Sequence, residues 1–211
     1  MKTKPIIFNT EMVRAILEGR KTVTRRVINP QPTYSPRDGF SYKGHAYGTD
    51  SPPTIKGAAY NLCCAAPYKI GDVLYVRETW GDYGDGTPLL YKADYPDDAT
   101  TYKHDDDIHI CDLPKWKPSI HMPKAASRIF LRVTNVRVEQ LQDIMKDPSG
   151  KENQVVKEGC DYGCDYIALW NSTIKKEHFE YYGWESNPYV WVIEFRKLSD
   201  EEIKNMEECK L

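Results

Sequence analysis

The chain has 211 residues, 40% of them hydrophobic and 12% aromatic, with a formal net charge of −2. That is enough apolar surface for a true core, which excludes global disorder, and the near-neutral charge excludes a protein that coats nucleic acid non-specifically. Met1 to Pro5 carry basic side chains with no apolar segment after them, and no apolar run approaches the roughly 18 residues of a membrane span, so the expected location is the cytoplasm.

In chain order, Ile6-Ile7-Phe8 reads as a short first strand. Thr10 is placed to cap a helix running through Arg20, with Met12, Val13, Ile16 and Leu17 on one face and Gly19 at its end. A strand follows from about Thr22 to Ile28. Residues 29–69 hold Pro30, Pro32, Pro36, Pro52 and Pro53 among Gly, Tyr and Ser, and read as a long loop or insertion.

Gly71-Asp72 forms a turn into the strand Val73–Glu78, with Leu89–Ala93 as its expected neighbour. Arg128–Val138 alternates Ile129, Leu131 and Val133 with Phe130, Arg132 and Thr134, the period of a half-buried strand. Leu141–Gly159 looks helical at both ends and broken near Pro148-Ser149-Gly150. Tyr162–Lys175 is amphipathic, with Ile167, Leu169 and Trp170. Tyr189–Phe195 is the clearest strand, and Ser199 with Glu202 forms a capping box that starts a short charged helix over 199–211. Strands mixed with helices, without regular βαβ alternation or a Gly-rich phosphate loop, predict an α+β fold built on a small mixed barrel.

Charge is unevenly spread. Asp94, Asp97, Asp98, Asp105, Asp106, Asp107 and Asp112 crowd one segment, expected to be a solvated loop. Residues 115–138 carry Lys115, Lys117, Lys124, Arg128, Arg132 and Arg137 with no carboxylate. The six cysteines, Cys63, Cys64, Cys111, Cys160, Cys164 and Cys209, lack the spacing of a zinc site and read as reduced thiols. His104 and His109 flank the aspartates without metal-ligand spacing, so neither a metal nor a cofactor is expected.

Three segments carry candidate chemistry. Gly19-Arg20-Lys21-Thr22-Val23-Thr24-Arg25-Arg26 puts cations and hydroxyls where a helix runs into a strand. Gly71–Trp80 ends a strand in Arg77-Glu78-Thr79-Trp80. Lys115-Trp116-Lys117-Pro118-Ser119-Ile120-His121-Met122-Pro123-Lys124 interleaves basic and aromatic residues. Arg77, Glu78 and Trp80 read either as a strand-end ion pair beside a core ring, or as groups that pair with and stack on a base. Trp116, Ser119 and His121 read either as a packed loop or as a cleft wall, with Lys115, Lys117 and Lys124 on phosphates.

With Leu141–Ile144, Glu158-Gly159 and Asn187–Val192, this ordered series resembles the ASCH family, a branch of the PUA-like barrels, and its larger phage and prophage members in particular. The resemblance covers most of the chain. It implies a single PUA-like domain over 1–198, a mixed β-barrel with surrounding helices and insertions at about 29–69 and 94–127. The implied partner is a modified nucleoside, or RNA or another single-stranded nucleic acid, with no membrane.

Small ASCH-fold enzymes hydrolyse N4-acetylcytidine with a Lys, a Thr and a Glu, which the resemblance carries onto Lys21, Thr24 and, more loosely, Glu158. In that chemistry a desolvated Lys21 takes the proton of Thr24, the hydroxyl attacks the amide carbon, Glu158 serves the departing amine and Arg26 holds the oxyanion or base carbonyl. Lys21 and Thr24 are three apart and would face opposite ways on a regular strand, so the reading requires Lys21 on the turn before it. The alternative is a module that binds RNA or a modified base without chemistry. A metal-free ribonuclease is a third.

Overall fold

The computed structural model describes residues 3–48, 54–84, 88–103, 110–146 and 154–208. Its elements are β1 (Thr3–Ile7), α1 (Thr10–Leu17), β2 (Val23–Val27), β3 (Thr33–Ser35), β4 (Gly39–Tyr42), β5 (His45–Ala46), α2 (Ile55–Leu62), β6 (Val73–Arg77), β7 (Trp80–Gly81), β8 (Leu90–Tyr91), β9 (Thr101–Lys103), β10 (Ile110–Asp112), β11 (Phe130–Gln140), α3 (Gln154–Lys157), α4 (Gly163–Thr173), α5 (Phe179–Tyr182), β12 (Tyr189–Lys197) and α6 (Asp200–Glu208). The fold is α+β. Its main sheet has the order β1-β6-β11-β12-β2, with β1 and β6 parallel and β12 and β2 antiparallel. β1 and β2 end that order, so among the described residues the sheet does not close into the expected barrel. No described helix is long and apolar enough to cross a membrane.

The chain forms two compact units. The first comprises Met1–Gly19, Val73–Leu131 and Lys197–Leu211. Here α1 is capped by Asn9 rather than Thr10: Asn9 Oδ1 accepts the Met12 N–H at 2.8 Å. The helix stops at Leu17, short of Arg20, and Gly19 takes φ +76°, a conformation open to glycine without a Cβ clash. Leu90–Tyr91 pairs with Trp80–Gly81, not with the strand of residues 73–77 as expected. Part of the aspartate-rich segment is a hairpin, β9 with β10, and two of its carboxylates are engaged: Asp97 with Arg14 at 3.0 Å and Asp94 with Arg128 at 2.7 Å. The loop reading is corrected at the paired strands, while Asp97 stays 71% exposed. Asp105–Asp107, His104 and His109 lie outside the described residues.

The second unit comprises Arg20–Asp72 and Arg132–Arg196. The expected loop over 29–69 is instead a three-stranded meander, β3-β4-β5, followed by α2, whose cap Thr54 accepts the Gly57 N–H at 3.1 Å. Proline and glycine density marked turns correctly but hid strands only a few residues long. α4, β2 and β12 enclose an apolar cluster of Val23, Tyr166, Trp170, Trp184, Val190 and Val192. β12 is buried along both faces, which accounts for its nearly unbroken run of apolar residues. Residues 141–145 form a short helical turn and 154–157 the single turn α3, so the two helical ends read between 141 and 159 both exist; Pro148–Asn153 lie outside the described residues.

Candidate functional site

In the second unit a ladder of ionised side chains alternates in sign from half-buried to fully buried. Arg137 pairs with Glu194 and with Glu139, Glu139 with Arg25 at 3.2 Å, Arg25 with Glu158 at 3.0 Å, and Glu158 with Lys21 at 2.7 Å. The Lys21 and Glu158 side chains are 0% and 4% exposed. Removing so many charges from water is costly, and only complete hydrogen bonding makes it tolerable.

Lys21 meets that demand. It lies on the turn before β2, and its Nζ donates to Val23 O at 2.8 Å, to Glu158 O at 2.7 Å and to Glu158 Oε2. Three acceptors around Nζ match the three N–H groups that an ammonium can donate. Burial pulls its pKa below the ordinary lysine value; the Glu158 carboxylate opposes this and the Arg26 guanidinium adds to it.

Thr24 is buried but lies on the other face of the sheet. Val23, Val190 and Val192 belong to the apolar cluster, with Val27 packed against it, and Arg25 pairs in register with Val192. Thr24 pairs with Ile193 and Arg26 with Trp191, the alternate positions. It is therefore Arg25, not Thr24, that shares Glu158 with Lys21. The turn position required of Lys21 is present, but the hydroxyl is directed away from the Lys21–Glu158 pair. Arg26 is half-buried; burial lowers its pKa, opposed by Tyr68, Glu158 and Tyr166.

Around the ladder, three buried polar atoms have no hydrogen-bond partner: Arg25 Nε, Gln154 Oε1 and Tyr166 Oη. Gln154 is one helical turn from Glu158, whose N–H it receives at 3.2 Å, so the two side chains share a face of α3. Burial raises the Tyr166 phenol well above its usual pKa, reinforced by Glu158 and opposed by Arg25, which places all three groups within mutual electrostatic reach. Orphaned buried groups are rare, and each calls for water or a polar ligand. No motif marks Glu139, Gln154 or Tyr166. Arg25 stood inside the Lys-Thr-x-Thr-Arg-Arg series beside Arg26, and strand parity alone distinguishes the two.

The remaining candidates lie in the first unit. The buried Glu78 carboxylate is bidentate to Arg128, at 3.0 and 3.1 Å; burial raises its pKa despite that partner. Arg128 also forks onto Asp94 and lies 4.0 Å from the Tyr91 ring centroid. Arg77 donates to the carbonyls of Met122, at 2.9 Å, and Ile120, so it secures the loop around Ser119 and His121. Trp80 is buried against Met122 and Ala126 with Lys117 4.5 Å from its ring centroid, and its Nε1 has no partner.

Trp116 is half-buried between Tyr95 and Lys92. Ser119 is half-buried and His121 exposed, while Lys115 is exposed and Lys124 reaches Thr3 Oγ1 at 2.8 Å. In this arrangement Glu78 and Arg77 are committed to structural contacts, and the ring of Trp80 is packed rather than presented. Cys160 is buried and Cys164 exposed, and both are free thiols. No family model, no curated protein and no solved structure matches the chain.

Proposed function

We propose that the chain is a PUA-like domain of the ASCH family that recognises a nucleobase, free or within a nucleic acid, without hydrolysing it. The ordered motifs from Gly19 to Val192 support the family. The observation that carries the binding reading is the set of unpartnered buried atoms beside the Lys21–Glu158 pair: a donor on Arg25, an acceptor on Gln154 and a hydroxyl on Tyr166 that serves as either. Such a set complements the edge of a neutral heterocycle, where donors and acceptors alternate.

Two features favour binding without hydrolysis. A general base must offer a lone pair to its nucleophile, whereas the Lys21 Nζ is surrounded by three other acceptors. The nucleophile must stand beside the base, whereas Thr24 faces the opposite side of β2 from Arg25 and Glu158. The 2.7 Å contact between Lys21 and Glu158 is what favours the rival reading, an amidohydrolase acting on an N4-acylated cytosine.

One experiment separates them. The protein is titrated with cytidine and with N4-acetylcytidine by calorimetry, and the acetylated nucleoside is followed for conversion. Saturable binding without conversion is expected. Binding should persist in Thr24→Ala and weaken in Tyr166→Phe and Gln154→Leu. Release of cytidine that disappears in Thr24→Ala would establish the hydrolase instead, and failure to bind any nucleobase would remove both.

A further inference from the structure

The second unit also carries a cavity of about 400 Å³ whose lining includes Tyr60, Cys63, Cys64, Tyr68, Lys69 and Ile70. None of these residues belongs to the ion-pair ladder, and all but Ile70 lie in the segment 29–69. The volume is in the range of small-molecule sites. Two rings supply flat surface, and Ile70 and Val136 add aliphatic surface. Lys69 is the charged residue of the lining, which includes no carboxylate. Its Nζ is held by the carbonyls of Cys63, at 3.2 Å, and Cys64, so the cation is fixed at the cavity and not left to wander in solvent. Asp72 is nearby but takes the backbone N–H of Lys69 at 2.8 Å. Burial raises the Tyr68 phenol above its ordinary pKa, opposed by the Arg26 guanidinium.

We propose that this cavity holds one nucleotide unit of a single-stranded nucleic acid, its base against Tyr60 and Tyr68 and its phosphate beside Lys69; the choice of nucleic acid rests on the nucleobase reading above. Flat aromatic walls beside a fixed cation, with no anion in the lining, match a ring that carries a phosphate. Tyr60 is 79% and Ile70 68% exposed, so the walls stand open and enclose a lone nucleotide poorly. A strand anchored by further contacts loses nothing by that openness. Stacking of this kind tolerates any base, and affinity should fall steeply with salt.

Cys64 is an exposed thiol in the lining and reports occupancy directly; Cys164, exposed on α4, serves as the internal control. The full chain is mixed with fluorescein-labelled decauridylate at low salt. Binding is read by anisotropy, and alkylation by N-ethylmaleimide is mapped to each cysteine by mass spectrometry. Saturating strand should slow Cys64 about tenfold and leave Cys164 unchanged, while Tyr60→Ala should weaken binding about tenfold and abolish the protection. Gln154→Leu should retain the protection. A strand that binds while Cys64 reacts at its free rate overturns the cavity proposal and leaves the nucleobase reading standing. Uridine monophosphate protecting Cys64 as well as the strand does overturns the single-strand assignment. No binding by strand or nucleoside removes both.

Discussion

Lys21 and Glu158 meet at 2.7 Å although 137 residues separate them, and neither side chain is open to solvent. Glu158 also holds Arg25, so one carboxylate answers two buried cations. Losing it takes the carboxylate from the buried Lys21 and leaves Arg25 to the half-buried Glu139. Glu158→Ala should therefore destabilise the protein by about 3–5 kcal/mol, whereas Lys21→Met should cost clearly less, because Glu158 keeps Arg25. Urea denaturation followed through the fluorescence of Trp170 and Trp184, which sit in the adjoining apolar cluster, measures both.

Tyr166 offers a test that depends on pH. Its Oη has no partner, so Tyr166→Phe should change stability by less than about 1 kcal/mol at neutral pH. The folded-state pKa lies above the usual value of 10.0. A raised acid contributes stability that is fully present below its unfolded pKa and is lost as pH rises through the folded value. The wild type should accordingly lose stability above pH 10, and the phenylalanine variant should lose less over the same interval. Thermal melts at stepped alkaline pH read the difference.

Arg128 joins Glu78 and Asp94 by two forks while lying on Tyr91. Lysine keeps the charge but cannot present two forks or a stacking plane. Arg128→Lys should cost about 2 kcal/mol, since Glu78 stays buried with a poorer partner. Calorimetry should record a fall in Tm of about 2–4 °C per kcal/mol for a chain of this size.

Gly81 packs where a side chain has no room. A Cβ there would meet Pro114 Cγ at 2.4 Å and the Trp116 ring at 3.4 Å. Gly81→Ala should push Pro114 and Trp116 aside and destabilise by about 1–3 kcal/mol. Near-ultraviolet circular dichroism should register the altered setting of Trp116, while the far-ultraviolet spectrum stays unchanged.

The long strands and the C-terminal helix were legible because their signals are local. Alternation over 128–138 appears as β11, the apolar run at 189–195 as β12, and Ser199 exchanges hydrogen bonds with Glu202 at 3.1 and 3.3 Å. The meander over 33–46 was not, since strands of two to four residues carry too few positions for a period to show. Pairing was also hidden: Leu90–Tyr91 is apolar enough to neighbour any strand, and its choice of Trp80–Gly81 is a long-range matter.

Within the candidate site, the Lys21–Glu158 proximity was expected through the resemblance, while Arg25 and Tyr166 were not. Nothing in a single sequence says which of two adjacent arginines turns towards a glutamate far along the chain. Glu78 shows the same limit. Its motif was visible, but its commitment to Arg128 depends on β6 and β11 bringing positions 78 and 128 together.

The pairing of Arg25 with Val192, and of Thr24 with Ile193, decides more than the shape of a sheet edge. Sliding β2 by a single residue would exchange the two side chains, setting the hydroxyl opposite the amine and turning the guanidinium away. The same slide would drive Thr24 and Arg26 into the greasy seam now filled by Val23 and Val27, so packing forbids it. Which of the two groups, hydroxyl or guanidinium, stands beside Glu158 is thus fixed by the phase of one short strand, without any change in the list of reactive groups.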